Sequence, residues 1–328
     1  MPELPEVETV VRGLRRTIVG RKILSVTLRK TDFIDDPVAV ETNLPGRRIE
    51  AVERYGKFIL LRLSPAHDDK NPDVPAPLPT ALLVHLGMTG QIASIHAAQP
   101  WEKHTHASFV LDDGRDLRYT DARRFGRLAY LSEELLPAEL RRFGADPLEV
   151  PVKEFVERVR ARRSRIKAML LDQTVLRGMG NIYADESLWK AKIHPAKLGA
   201  SLSAKQVTEL HRALQAILNK AILMRGSSIS DYRDADGEPG EYQGQHRAYG
   251  REGQKCQRCG AIIRRTIVAG RSSYYCPKCQ LAPRGVLPLA LRNKPGRPNL
   301  LTNRRMKEKT KSKTRLRRSK KSRRRKAA

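Results

Sequence analysis

A secondary amine and a carboxyl stand side by side at the start of this chain. Once Met1 is removed, Pro2 carries a free ring nitrogen, with Glu3 directly after it. Such an amine can attack a carbon that bears a leaving group, while a neighbouring carboxylic acid supplies the proton. With Met1 retained the same nitrogen is an amide and the attack is blocked. Val7, Val10, Val11, Leu14 and Ile18 recur at the spacing of one helix face, which predicts a buried helix that pins the terminus. The positive end of that helix disfavours a charged amine and lowers its pKa below the roughly 8 of a free terminus. The same residues fit a plain helix start, where proline's missing N–H is no loss. On this stretch alone both readings stand.

A second chemical pattern lies near the other end. Cys256 and Cys259 form one C-x2-C pair, Cys276 and Cys279 another, with 16 residues between them. Each pair places two thiolates on one tight turn, and two such turns complete a tetrahedral zinc site with no open position. The zinc is therefore expected to be structural. Residues 262–268 and 272–275 read as two strands, and the turn Ala269-Gly270-Arg271 presents Arg271 at a hairpin tip, where it can grip a phosphate.

Other residues suit contact with a base stack or a phosphate. Met88 follows a strand-like run inside His85-Leu86-Gly87-Met88, and Arg123-Arg124-Phe125-Gly126 offers two guanidinium groups and a ring. Met, Arg and Phe are side-chain types that wedge into a base stack and fill the space a base has left. Ordinary core packing would equally use Met88 and Phe125. Gly178-Met179-Gly180-Asn181 reads as a tight turn onto a helix start, a phosphate site with Asn181 as donor or a simple cap. His104 and His106 fit phosphate contacts or exposed strand positions better than metal ligands, since no cysteine lies nearby.

The elements that must hold these groups follow from periodicity. Runs at 23–28, 58–63, 81–86, 107–111 and 127–131 read as strands, with a hairpin signal at 112–115, and suggest a β-sandwich or barrel. From about residue 137 the pattern turns helical, first over Val152 to Arg163. A capping box at Ser203-Ala204-Lys205-Gln206 then opens an amphipathic run from Val207 to Ile222. Residues 226–255 read as a loop, and 64–79, with several prolines, as an exposed insertion. The net charge is +29, from 64 Lys and Arg against 35 Asp and Glu. Residues 292–328 hold 18 Lys or Arg and one acid, so the first 291 residues still carry +12. A polyanionic partner is expected from the body alone, and the basic tail should be disordered. No window holds the roughly 18 apolar residues of a membrane span, and the start lacks a secretory pattern. An intracellular chain without a membrane partner is expected.

Taken together, Pro2-Glu3-Leu4-Pro5-Glu6, His85-Leu86-Gly87-Met88, Arg123-Arg124-Phe125-Gly126, Gly180-Asn181-Ile182-Tyr183-Ala184 and the four cysteines resemble the formamidopyrimidine-DNA glycosylases, relatives of endonuclease VIII. The resemblance covers residues 2 to about 280 and departs at Ala122, where a proline is common. It implies an α+β multidomain fold: a helix and β-sandwich over 1–134, a helix–two-turn–helix domain over 135–225 and a lesion-capping loop over 226–249. A zinc finger over 250–282 and the tail over 283–328 complete it. It implies a monomer, in a bacterial-type cytoplasm or nucleoid, that excises oxidised purines from double-stranded DNA and cleaves the strand at the abasic site. Pro2 would be the nucleophile, Glu3 the acid, Lys57 the group assigned to β-elimination and Arg271 to δ-elimination. His104, Arg123 and Arg162 would contact DNA, Lys167 and Asn181 would clamp a phosphate, and Met88, Arg123 and Phe125 would form the wedge. The alternatives are a pyrimidine-directed relative of the endonuclease VIII kind and a nucleic-acid-binding protein of this fold without catalysis.

Overall fold

The computed structural model describes residues 1–64, 80–132, 134–229 and 232–283. Nearly all of the proline-rich insertion and the whole basic tail lie outside them. Helix α1 (Leu4–Ile18) enters first, and its apolar stripe of Val7, Val10, Val11, Leu14 and Ile18 is fully buried. It is buried against two antiparallel four-stranded sheets. One sheet has the order β1 (Ile23–Leu28), β6 (Thr105–Leu111), β7 (Arg115–Asp121), β5 (Gly90–His96). The other runs β2 (Ile49–Tyr55), β3 (Phe58–Leu63), β4 (Thr80–His85), β8 (Arg127–Leu131). A short helix α2 (Pro37–Asn43) flanks β1 and β8.

Strand β3 alternates between two cores, which explains an apolar run interrupted only at Arg62. Ile59, Leu61 and Leu63 join the core shared with α1, whereas Leu60 faces a smaller cluster with Leu83, Leu131 and Leu136. Leu136 belongs to helix α3 (Leu135–Leu140), which covers that outer face. Strands β2, β5 and β7 have no clear apolar signal. In β7 the reason is visible: Asp116 and Arg118 form an ion pair at 3.0 Å that is almost wholly buried.

Helices α4 (Val152–Arg160), α5 (Ile166–Leu171), α6 (Asn181–Lys190) and α7 (Ala204–Leu223) enclose a second core. Leu4, from the first turn of α1, is part of it. The capping box of α7 forms as the sequence predicts: Gln206 N–H donates to Ser203 Oγ at 3.2 Å, and Ser203 N–H to Gln206 Oε1 at 3.0 Å. Helix α4 ends earlier than its pattern suggests. The carbonyls of Arg162 and Ser164 instead accept from Ala200 and Gly199, so the chain turns and Arg162 lies past the helix end. Strands β9 (Arg264–Val268) and β10 (Arg271–Tyr275) form a separate hairpin. Ala269 and Gly270, both at positive φ, make its two-residue turn. Arg271 is therefore the first residue of β10, paired with Val268, rather than the tip itself.

Candidate active site

The start of α1 closes on the start of α6. Glu3 is 4 % exposed, and its carboxylate accepts from Ile182 N–H at 2.9 Å and Tyr183 N–H at 3.3 Å, the free donors of the α6 N-terminus. Gly180 makes the approach possible, because a Cβ there would overlap the Glu3 carboxyl group. Burial pushes the Glu3 carboxyl above its ordinary range, against the pull of Lys57 and of those backbone donors. A carboxyl so placed holds its proton more tightly than a solvated one, the bias that a general acid needs.

Glu6, one turn along, is a group the sequence reading did not single out. It accepts from Glu3 N–H at 2.8 Å, from Ser227 N–H at 2.7 Å and from the Tyr183 hydroxyl in a short hydrogen bond. Burial, with the nearby Glu3, pushes Glu6 up to about 7. Its position three residues after Glu3 was visible; its partners are 177 and 221 residues away.

Lys57 comes from the turn between β2 and β3. Gly56, at φ +63°, lets that turn lie against Arg177 and Gly178. The Lys57 side chain is 9 % exposed, and burial pulls its ammonium below the usual lysine range, opposed by Glu3 and Glu6 and assisted by Arg271. An amine held this way approaches the neutral form that a base requires. Pro2, Glu3, Lys57, Asn181 and Arg271 all line one open cavity of ≈ 650 Å³. Met1 lines it too and is half exposed, so in this form of the chain Pro2 nitrogen is an amide inside the cavity.

Met88 and Phe125 project from two loops that cross at Gly87. That glycine has φ +60°, and a Cβ on it would overlap the Phe125 backbone. Met88 is 41 % and Phe125 57 % exposed, and the Arg123 guanidinium lies over the Phe125 ring at 4.5 Å. Fully buried Asp121 ties the loops together. Its Oδ1 accepts from Thr89 Oγ1 (2.5 Å) and Arg123 N–H (3.1 Å), and its Oδ2 from Gly126 N–H (3.0 Å) and Tyr119 Oη (3.2 Å). Three of its donors lie within five residues of it, and the fourth, Thr89, is 32 positions away.

The remaining candidates divide. His104 is partly exposed just before β6, its ring 6.4 Å from that of His106. Arg162 is exposed but pairs with Asp172 at 3.5 Å. Lys167 is placed differently from a phosphate clamp. It is 0 % exposed, pairs with the equally buried Asp185 at 2.7 Å, and donates to the Ser272 carbonyl at 2.7 Å. Asp185 in turn accepts from Tyr274 N–H, so the pair fastens β10 to α5 and α6.

The four cysteine ligand atoms lie within 4.8 Å of one another and form no disulfide. That is the scale of a metal–thiolate tetrahedron, whose edges are about 3.8 Å for 2.3 Å Zn–S bonds. The module is docked on the far end of α6. Arg258 donates to the carbonyls of Trp189 and Lys190 and covers the Trp189 ring at 4.0 Å.

Residues 1–128 match the formamidopyrimidine-DNA glycosylase N-terminal domain, 143–233 its H2TH domain, and 253–282 the zinc finger found in FPG and IleRS. The formamidopyrimidine-DNA glycosylase of Desulforamulus reducens is 42 % identical over 289 residues, covering 86 % of this chain and 100 % of that protein. That of Streptococcus pneumoniae is 39 % identical over 285 residues, covering 85 % and 99 %. A solved complex of Lactococcus lactis Fpg with DNA containing an abasic site is 36 % identical, with a TM-score of 0.75 over 85 % of this chain and 100 % of that one. A complex of an L. lactis Fpg variant with DNA containing Fapy-dG gives 36 % and 0.76, covering 86 % and 100 %. Matches of this extent, on a fold that gathers an acid and an amine in one cavity, define a DNA glycosylase. The chain belongs to the formamidopyrimidine-DNA glycosylase family. Among the described residues no helix is long and apolar enough to cross a membrane.

Proposed function

We propose that this protein removes oxidised purines, 8-oxoguanine and ring-opened formamidopyrimidines, from duplex DNA and then cleaves the strand at the abasic site. The observation that carries this reading is the Glu3 carboxyl, buried beside Pro2 on the α6 N-terminus and biased toward its protonated form. After Met1 is removed, the Pro2 amine attacks sugar C1′. The C1′–N bond to the base breaks as the base takes up a proton, and Glu3 protonates the sugar ring oxygen as the ring opens. The resulting iminium withdraws electrons from C2′, so a base can take the C2′ proton and the 3′ phosphate leaves. Lys57, with its ammonium destabilised by burial, is suited to these proton transfers, and Arg271 on the same cavity to the departing phosphate. Met88, Arg123 and Phe125 at the rim suit a wedge that holds the helix open around an extruded nucleotide, a step that costs a few kcal/mol. Zinc is the metal whose size and thiolate preference fit the four cysteines; it would hold the hairpin that carries Arg271 and supply no chemistry to the reaction.

The test is borohydride trapping on an 8-oxoguanine duplex. The Met1-free protein is expected to form a covalent adduct, and a chain whose N-terminal extension keeps Pro2 as an amide is expected to bind without one. Binding by the Met1-free protein with no adduct would refute the enzymatic reading. Preferential excision of oxidised pyrimidines would assign it to the endonuclease VIII kind.

A further inference from the structure

Gly13 lies in the interior of α1, where glycine is the least favourable residue after proline, and its backbone is helical. Its reason is steric. A Cβ at Gly13 would stand 2.6 Å from the Cβ of Ala235, a short, inflexible neighbour that cannot swing aside. Ala235 belongs to a self-contained turn: the Asp234 carboxylate accepts from Asp236 and Glu238 N–H, and Asp234 N–H donates to the Glu238 carbonyl. Two further contacts join this turn and its approach to α1. Tyr232 Oη donates to the Glu6 carbonyl at 3.1 Å, and Arg16 pairs with Asp236 at 2.7 Å. The ion pair is more than half exposed on both sides, so it holds the turn only weakly. Upstream of the turn, Ser227, Ile229 and Tyr232 line the same cavity as Pro2 and Glu3.

We propose that Gly13 is a specificity-determining positioning residue: a socket in the catalytic helix that seats Ala235 and so sets the distance between the amine and the wall formed by Ser227, Ile229 and Tyr232. This rests on the proposed excision of damaged bases. A bound base must fit between that wall and Pro2, whereas an abasic sugar presents nothing to it. Displacing the wall therefore slows base removal and leaves cleavage of a preformed abasic site intact.

Gly13→Ala tests this through the ratio of two single-turnover rates, excision of 8-oxoguanine and cleavage at an abasic site. Excision is expected to fall about 10- to 100-fold, the scale of an ångström-sized misplacement, with abasic-site cleavage held within about twofold. Gly13→Ala combined with Ala235→Gly removes the colliding methyl group and is expected to restore the ratio. Should Gly13→Ala fail to fold, Ala235→Leu makes the same collision from the turn and leaves the helix untouched. Equal loss on both substrates, an unchanged ratio in both variants, or no recovery in the double variant would overturn the socket. An unaltered chain that cleaves abasic sites and excises no damaged base would instead overturn the proposed function, and this inference with it.

Discussion

At the floor of the cavity Glu3, Glu6 and Lys57 are each no more than 9 % exposed, and the two carboxyl groups take hydrogen bonds from α6 and from residue 227. Beside it Met88, which also lines the cavity, and Phe125 on the adjoining loop form a rim that leaves 41 % and 57 % of their surface open, with the Arg123 guanidinium over the Phe125 ring. The floor is finished before any ligand arrives: its donors are aimed and its pKa values already displaced, chiefly by burial. The rim is large apolar surface held at a fixed place by buried Asp121 and by Gly87. Chemistry needs groups that do not reorganise, whereas wedging needs surface that becomes buried only in the complex.

This contrast can be broken by substitution. Glu3→Gln keeps the shape of the floor and removes its transferable proton, so single-turnover excision should fall roughly 10²- to 10⁴-fold while duplex affinity changes little. A fall confined to affinity would show that the floor is a binding surface. Asp121→Ala strips four donors of their buried acceptor. It should cost about 3 kcal/mol of unfolding free energy in a denaturant titration and should disorganise the rim. Phe125→Ala should leave stability within about 0.5 kcal/mol and slow excision by about tenfold, the rough scale of losing one base–aromatic stack. A large stability loss would mean that the ring is core rather than wedge.

The smallest effect is expected at the junction of floor and rim. His85 Nδ1 accepts from Gly87 N–H at 3.1 Å, and burial, with Lys57 and Arg127, pulls the ring down to about 4. A pKa depressed on folding gives stability that is present above the unfolded value of about 6.5 and is lost as pH falls through 4. Thermal melts should therefore fall less steeply from pH 6.5 to 4 in His85→Asn than in the unaltered chain. Parallel curves would mean that this ring is not held neutral.

What the sequence disclosed was whatever repeats locally. The stripe on α1, the capping box at Ser203 and the paired cysteines each lie within a few residues of one another, and each forms where periodicity or spacing places it. What it concealed was polar or long-range. Strand β7 was hidden because its buried Asp116–Arg118 pair looks like surface. Lys167 was expected at a phosphate through the resemblance, and its buried partner Asp185 sits on another helix. Gly13 passed as a helix residue until Ala235 gave it a neighbour 222 positions away. The Pro2–Glu3 pair was legible from residue types and the role of Lys57 from motif resemblance; their environment came only from three-dimensional contacts.

The hydrogen bonds of Glu3 and Glu6 also fix an order of assembly. Those carboxyl groups are completed by residues 182, 183 and 227, from 177 to 221 positions downstream. A growing chain therefore exposes its first residues long before it has made the backbone donors that shape them. Until residues 182 and 183 have been added, Glu3 lacks the backbone donors that hold it, and Glu6 waits longer still, for Ser227. The residues synthesised first are the last to become a site.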